Sequence, residues 1–468
     1  MYKIDDPQYK AVNVGEAEYK VETAQKQGYG PIRDTIMSAF MRDATKQGGS
    51  VATTPVISNG ILFFGSHDTY LYAIDALDAT LKWKFKTNGP IIAYLIVADE
   101  RVYFRSLDNY LYTLSLDGAL VWKSRVINNE GGCFALVDGV LYAGGGKDDC
   151  KMHAISAKDG TPMWEYRTGG IVSCMPAVVN DTIFFGSADG YIYALSKDGQ
   201  LKWKFRTSDG VDCGSAVCDA HGNEVWSVRN AKNEMAVISD GVLYTGSWDN
   251  HVYALTLDGK ELWRYRTNGP IFFSGPTVYR NTLYIGSMDG YLYALDAATG
   301  ALKWKFRTNM AIGADPIIHN DVIYIGSLDN HLYAVSLEGK ELWKFRTGGF
   351  IVLAAAVCGD KIYFGSWDGY LYSLSLKDQS LLWKFKPGKL EPVPVDLKGI
   401  LGRAEELNKR ILRLWKPETV GSKLLFSDHV SVNPMYRSAA PYATSVPYKT
   451  DSPYTSGAPK KKEKWWPF

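Results

Sequence analysis

One tryptophan recurs along the chain at almost fixed spacing, and no other feature limits the fold as tightly. Trp83, Trp122, Trp164, Trp203, Trp263, Trp304, Trp343 and Trp383 follow one another at intervals of 39, 42, 39, 60, 41, 39 and 40 residues. A period near 40 made only of short strand-like runs is the signature of a β-propeller, with one four-stranded sheet per repeat. Eight markers therefore predict an all-β, eight-bladed β-propeller of four-stranded antiparallel blades over residues 49–387. In the seventh unit AIGADPIIHND reads as the inner strand, VIYIGS as the second, HLYAVS as the third and ELWKFRT as the outer one. Aromatic or branched residues alternate with small ones in the second and third runs, as sheets packed face to face in a ring require. The first and last units each contain all four runs, so no strand exchange is expected to lock the ring.

Between the second and third runs lie SADG, SWDN, SMDG, SLDN and SWDG, at 187–190, 247–250, 287–290, 327–330 and 366–369. Asp-Gly and Asp-Asn supply the positive φ angle of a tight hairpin, so these acids read as turn formers rather than catalytic groups. Trp248-Asp249 and Trp367-Asp368 stand in the turn and not at a strand end, which separates them from the WD dipeptide of other propellers. The outer runs alternate as well: Lys82, Lys84 and Lys86 flank Trp83 and Phe85, and the pattern returns at Lys202, Lys204 and Arg206 and at Lys303, Lys305 and Arg307. Such a basic belt protects unpaired strand edges from aggregation. With a net charge of only +2 it gives no ground for a nucleic-acid partner.

Composition supports the ring. The chain has 30 Tyr and 14 Trp, enough large flat side chains, each with a polar handle, to fill the joints between blades. The six cysteines, Cys133, Cys150, Cys174, Cys213, Cys218 and Cys358, follow no disulfide framework and fit reduced thiols. The N-terminal stretch mixes charges without an apolar run. Together these lead to the expectation of a cytoplasmic protein.

The run Ala294-Leu295-Asp296-Ala297-Ala298-Thr299-Gly300-Ala301-Leu302-Lys303-Trp304 resembles the tryptophan-docking motif of pyrroloquinoline-quinone-type propellers. The resemblance extends over residues 49 to 387 and implies that each indole packs between neighbouring blades with its N–H bonded to backbone. The dehydrogenases of that family carry vicinal cysteines, a calcium site and a catalytic Asp. Here no two cysteines are adjacent. The segments expected at one end of the channel, PIIAY, GGIVSC, GPIFFSG, NMAIGAD and GGFIVLA, are apolar, with Asp315 almost their only acid. They do not supply the hard oxygen ligands of a calcium and quinone site, so no cofactor, no metal and no small-molecule substrate are expected. Another branch of the family, the outer-membrane assembly lipoproteins, implies a different use, the binding of partner proteins through loops.

Departures from the repeat are where specific function is expected. The 60-residue interval holds an insertion at about 208–234. Its Cys213, Cys218 and His221 lack a fourth ligand and a usual zinc spacing, so it reads as a hairpin flap presenting Trp226 to a partner. His67, His251 and His331 sit at turns and read as structural, and no nucleophile-base set or phosphate loop is present.

Outside the ring, residues 1–48 form an N-terminal arm in which a short helix is expected after Gly30-Pro31. Residues 388–417 form a linker and an amphipathic helix from Asp396 to about Trp415. Residues 418–468 form an extended tail. There Tyr436, Tyr442, Tyr448 and Tyr454 recur every sixth residue, the last three after Pro, so an extended chain sets them roughly 19 Å apart. The end, PKKKEKWWPF, offers Trp465, Trp466 and Phe468 as anchors for a pocket on a partner. Its lysines also allow a weak contact with anionic lipid. The sequence reads as a non-catalytic scaffold or accessory subunit that binds other protein subunits. Its rivals are a quinoprotein-like enzyme using the channel end and a membrane-peripheral adaptor.

Overall fold

The computed structural model describes residues 50–388 apart from 52, 93, 127–132, 212–214, 219–223 and 227–240. The helices expected near 31–44 and 396–415 and the tail anchors Tyr436, Tyr442, Tyr448, Tyr454, Trp465, Trp466 and Phe468 lie outside the described residues.

Each repeat folds into its own antiparallel sheet. The eight sheets occupy residues 56–86, 95–125, 134–167, 177–206, 215–266, 277–307, 317–346 and 356–385, and seven of them have four strands in sequence order. Every blade is made of consecutive strands, as the complete first and last repeats predict. In blade 7 the strands are Ile317–His319, Val322–Gly326, His331–Ser336 and Glu341–Arg346. The inner strand is shorter than the sequence suggests, because AIGADP is the lead-in from the previous blade and only its end pairs.

Burial follows position in the blade. The third strand of blade 6, Tyr291–Asp296, is covered on both faces along its middle four residues. Neighbouring blades sandwich it, so both side-chain directions meet protein. The outer strand, Leu302–Arg307, alternates from Lys303 onward between exposed and partly covered residues, since only one face meets a neighbour. The core therefore lies between blades rather than within them. Phe63 and Leu71 of blade 1 pack with Leu95, Val102 and Phe104 of blade 2, and Leu62, Phe64 and Tyr72 of blade 1 pack with Tyr363 and Leu371 of blade 8. That last cluster closes the ring.

Room for the tryptophans is built into the third strand. Ala294 lies opposite Trp304 in the ladder, and a register shift follows at once between Ala294 and Leu295. The same shift recurs in all eight blades. A small residue admits the indole and the bulge strengthens the local twist.

Blade 5 has a fifth strand, Glu224–Trp226, paired to the inner strand Ser215–Cys218. The insertion thus begins as a hairpin, and its backbone extends the sheet on the axial side, beside the inner strands of blades 4 and 6.

Candidate functional site

Two recurring bonds close the joints between blades, and they use the residues that the repeat makes most conspicuous. The first is the indole bond. Trp83, Trp122, Trp164, Trp203, Trp263 and Trp304 donate Nε1–H to the carbonyls of Leu116, Ala157, Lys197, Leu257, Ala297 and Leu337, at 2.7–3.0 Å. Each acceptor follows the third strand of the next blade. Each ring also lies over a glycine in that blade's outer turn, at positive φ. A Cβ added to Gly300 would stand 2.6 Å from the Trp263 ring, and Gly118, Gly160, Gly199, Gly259 and Gly339 are equally tight.

At the remaining two joints the glycine is absent. Gln379 faces Trp343 and Ala79 faces Trp383, both still at positive φ, 61° and 62°. Each therefore carries a Cβ where the other six joints have none. The Trp383 Nε1–H is buried without an acceptor, and the Ala76 carbonyl takes only the Tyr363 hydroxyl, at 3.1 Å, whereas Ala297 accepts from both Tyr244 and Trp263.

The second bond is made by the turn acids. Asp289 accepts from the backbone N–H of Tyr291 and from the Tyr293 hydroxyl in its own blade, and from the N–H of Asn268 at the exit of blade 5. Asp108, Asp189, Asp249, Asp329 and Asp368 repeat the inter-blade bond to Asn88, Gly169, Ser208, Asn309 and Gly348 at 2.7–3.0 Å. Positive φ falls on the residue after the acid, such as Gly290 or Asn330. The acids thus form the turn, as expected, and also tie consecutive blades. Burial raises the carboxyls of Asp289 and Asp368 above the usual carboxylate range. Because the second-to-third-strand turns and the third-to-fourth-strand turns lie at opposite ends of an antiparallel blade, each complete joint is fastened near both faces of the disc.

The basic belt is tied down too. Lys84, Lys204, Lys305 and Lys384 lie over the rings of Tyr70, Tyr191, Tyr291 and Tyr370 at 4.4–4.8 Å, a cation–π arrangement that holds their stems on the third strand.

At the channel, Asp315 is bound from two sides. The Tyr94 hydroxyl of the lead-in to blade 2 donates to it at 2.5 Å, and the Gly275 N–H to its other oxygen at 2.5 Å. Blades 2 and 7 are three positions apart in the ring, so this bond reaches across the axial opening. Sequence reasoning singled out Asp315 as an isolated acid; its partner, 221 residues away, has no local signal.

Two blades depart from the pattern. In blade 3 His153 takes the tyrosine's place, and its Nε2 meets Asp149. In blade 2 Arg105 replaces the glycine that ends the second strand elsewhere, and its Nη1 donates to the Gly144 carbonyl at 2.7 Å. Burial lowers this guanidinium to about 10. His67, at the joint of blades 1 and 8, is buried edge-on to Trp367 with Nδ1 against the Ser50 hydroxyl at 2.6 Å. Burial lowers its imidazole to about 4, against the opposing pull of the Ser50 backbone.

Of the predicted site residues, six tryptophans are fully docked and Trp343 and Trp383 are held without the indole bond. Trp226 falls in the added strand of blade 5, and the tail anchors lie outside the described residues. Among the described residues no cluster of metal-ligating side chains occurs; Cys213 and His221 lie outside them.

Eight sheets fastened by indoles and acids define a tryptophan-docked propeller of the pyrroloquinoline-quinone-like type. A family model described as outer membrane protein assembly factor BamB matches residues 35–130, 115–217, 214–280 and 270–389, well over half of the 468 residues, and the chain belongs to that family. A BamB of Salmonella typhimurium is 24% identical over 153 residues, which span 31% of this chain and 37% of that protein. The BamB structure from Moraxella catarrhalis superposes with a TM-score of 0.53 at 16% identity, covering 69% of this chain and 95% of that one. The quinohemoprotein alcohol dehydrogenase of Comamonas testosteroni gives 0.54 at 13% identity, covering 75% and 78%. These two structural likenesses establish the fold alone.

Proposed function

We propose that the protein is a non-catalytic scaffold or accessory subunit that binds other proteins within a larger assembly. Family membership carries this reading, since the relatives bear the name of an assembly factor. The use made of the turn acids agrees with it: six of them spend their oxygens on blade joints. On this reading the disc is rigid and its faces, the blade 5 insertion with Trp226, and the tail with Tyr436, Tyr442, Tyr448, Tyr454, Trp465, Trp466 and Phe468 grip partners. A reducing, cytoplasmic location is part of the proposal, motivated by six cysteines whose spacing follows no disulfide framework; fractionation of source cells tests it.

The functional test is native purification from the source with full-length chain and with a chain lacking 418–468. A heteromer that weakens on truncation is expected, and a monomer indifferent to it would contradict the reading. A quinoprotein-like enzyme is the second reading, favoured by the fold shared with the Comamonas dehydrogenase. It requires quinone absorbance and bound calcium in the purified protein.

A further inference from the structure

The joint between blades 8 and 1 is where the ring departs from its own rules. Ala79 occupies the glycine position, the buried Trp383 Nε1–H has no acceptor, and among the described residues the acid Asp68 has no blade-exit N–H; Gly388 donates to the Tyr72 hydroxyl, at 2.9 Å. Beside this joint, on the face carrying the third-to-fourth-strand turns, a cleft of about 550 Å³ opens. Its walls include Ile57 and Ile61 of blade 1, Leu77 of the adjoining turn, and Cys358, Asp360 and Lys361 of blade 8.

Two properties of this lining point to an occupant. Leu77 is 69% exposed, the most open large hydrophobic side chain among the described residues. An aliphatic group projecting at the mouth of a cleft is a typical anchor for a partner's side chain. The charges are the second property. Asp75 is paired with Lys82 at 3.1 Å and Asp360 with Lys377 at 2.7 Å, whereas Lys361 makes no ion pair among the described residues. The cleft therefore offers an apolar wall and, in Lys361, one cation without a direct ion pair among the described residues, its nearest acid, Asp360, being bonded to Lys377.

We infer that this seam cleft is a docking site for a short segment of a partner protein that presents an aliphatic or aromatic side chain next to a carboxylate. The apolar group packs on Leu77, Ile57 and Ile61, and the carboxylate meets Lys361. Charge complementarity at the rim then sets specificity more than affinity. The assignment rests on the scaffold reading and gives it a location.

The test uses the full-length protein and two fluorescein-labelled octapeptides, Gly/Ser sequences with a central Leu-Asp or Leu-Lys, followed by anisotropy at up to millimolar peptide. The Leu-Asp peptide is expected to bind better, Lys361→Glu to reverse the preference, and Leu77→Asp to weaken binding about tenfold. Leu77 is exposed and Lys361 partly exposed at a strand end, and unchanged melting curves verify that the variants fold. Equal binding of the two peptides, no binding, or a preference unmoved by Lys361→Glu overturns the inference. So does a concentration-dependent dimer abolished by Leu77→Asp, which assigns the cleft to a second copy of the chain. Failure here leaves the native heteromer intact, so it is distinguishable from failure of the scaffold reading.

Discussion

At the scale of single residues, stability depends on whether a Cβ is present where an indole must lie. Ala79 is held at φ 62°, a region that costs a non-glycine residue about 1 kcal/mol or more, and it packs against the same cluster as Trp383. Ala79→Gly is therefore expected to stabilise the protein by about 1 kcal/mol, read as a higher urea midpoint at unchanged slope. Gly300→Ala, which drives a methyl into Trp263, is expected to lower it. His67 sets a pH dependence. Its folded pKa, about 4, lies below the ordinary 6.5, so the neutral ring's contribution is complete above pH 6.5 and is lost as pH falls toward 4. The loss is on the order of 3 kcal/mol. His67→Gln should flatten the stability profile over that window, and an unchanged profile would show that His67 titrates normally.

At the scale of the blade, the tryptophans are equivalent in sequence and unequal in bonding. Trp304→Phe removes ring volume and the bond to Leu337, whereas Trp383→Phe removes similar volume and a buried N–H that has no acceptor. The first is expected to cost about 1 kcal/mol more than the second in parallel urea titrations; equal losses would mean that the indole bond contributes nothing.

Much of this level is legible in the chain. The tryptophan period, the Asp-Gly and Asp-Asn turns and the alternating outer strands each declare themselves, because they recur from blade to blade under one geometry. The missing glycines at 79 and 379 are visible too, once the repeats are aligned on the tryptophan. What the pattern does not reveal is that six of the acids also bind the preceding blade, since the donor is a backbone N–H that leaves no mark on residue type. The inner strands are likewise overestimated in length, because an apolar lead-in lining a channel and an apolar strand look alike in sequence.

At the scale of the whole molecule, a ring makes neighbours of residues far apart in the chain. Tyr94 and Asp315 meet across the axis, Tyr363 meets Ala76, and His67 meets Trp367, and none of these pairs has a sequence signature. The seam cleft belongs to the same class, since its two walls come from opposite ends of the propeller. Function at this scale turns on whether the disc works alone. The most direct measurement is native mass spectrometry of the full-length protein isolated from its source. A scaffold subunit should appear in a heteromeric complex of defined stoichiometry that sheds partners when 418–468 is deleted. A monomer carrying a quinone and calcium would contradict that role and make the ring an enzyme.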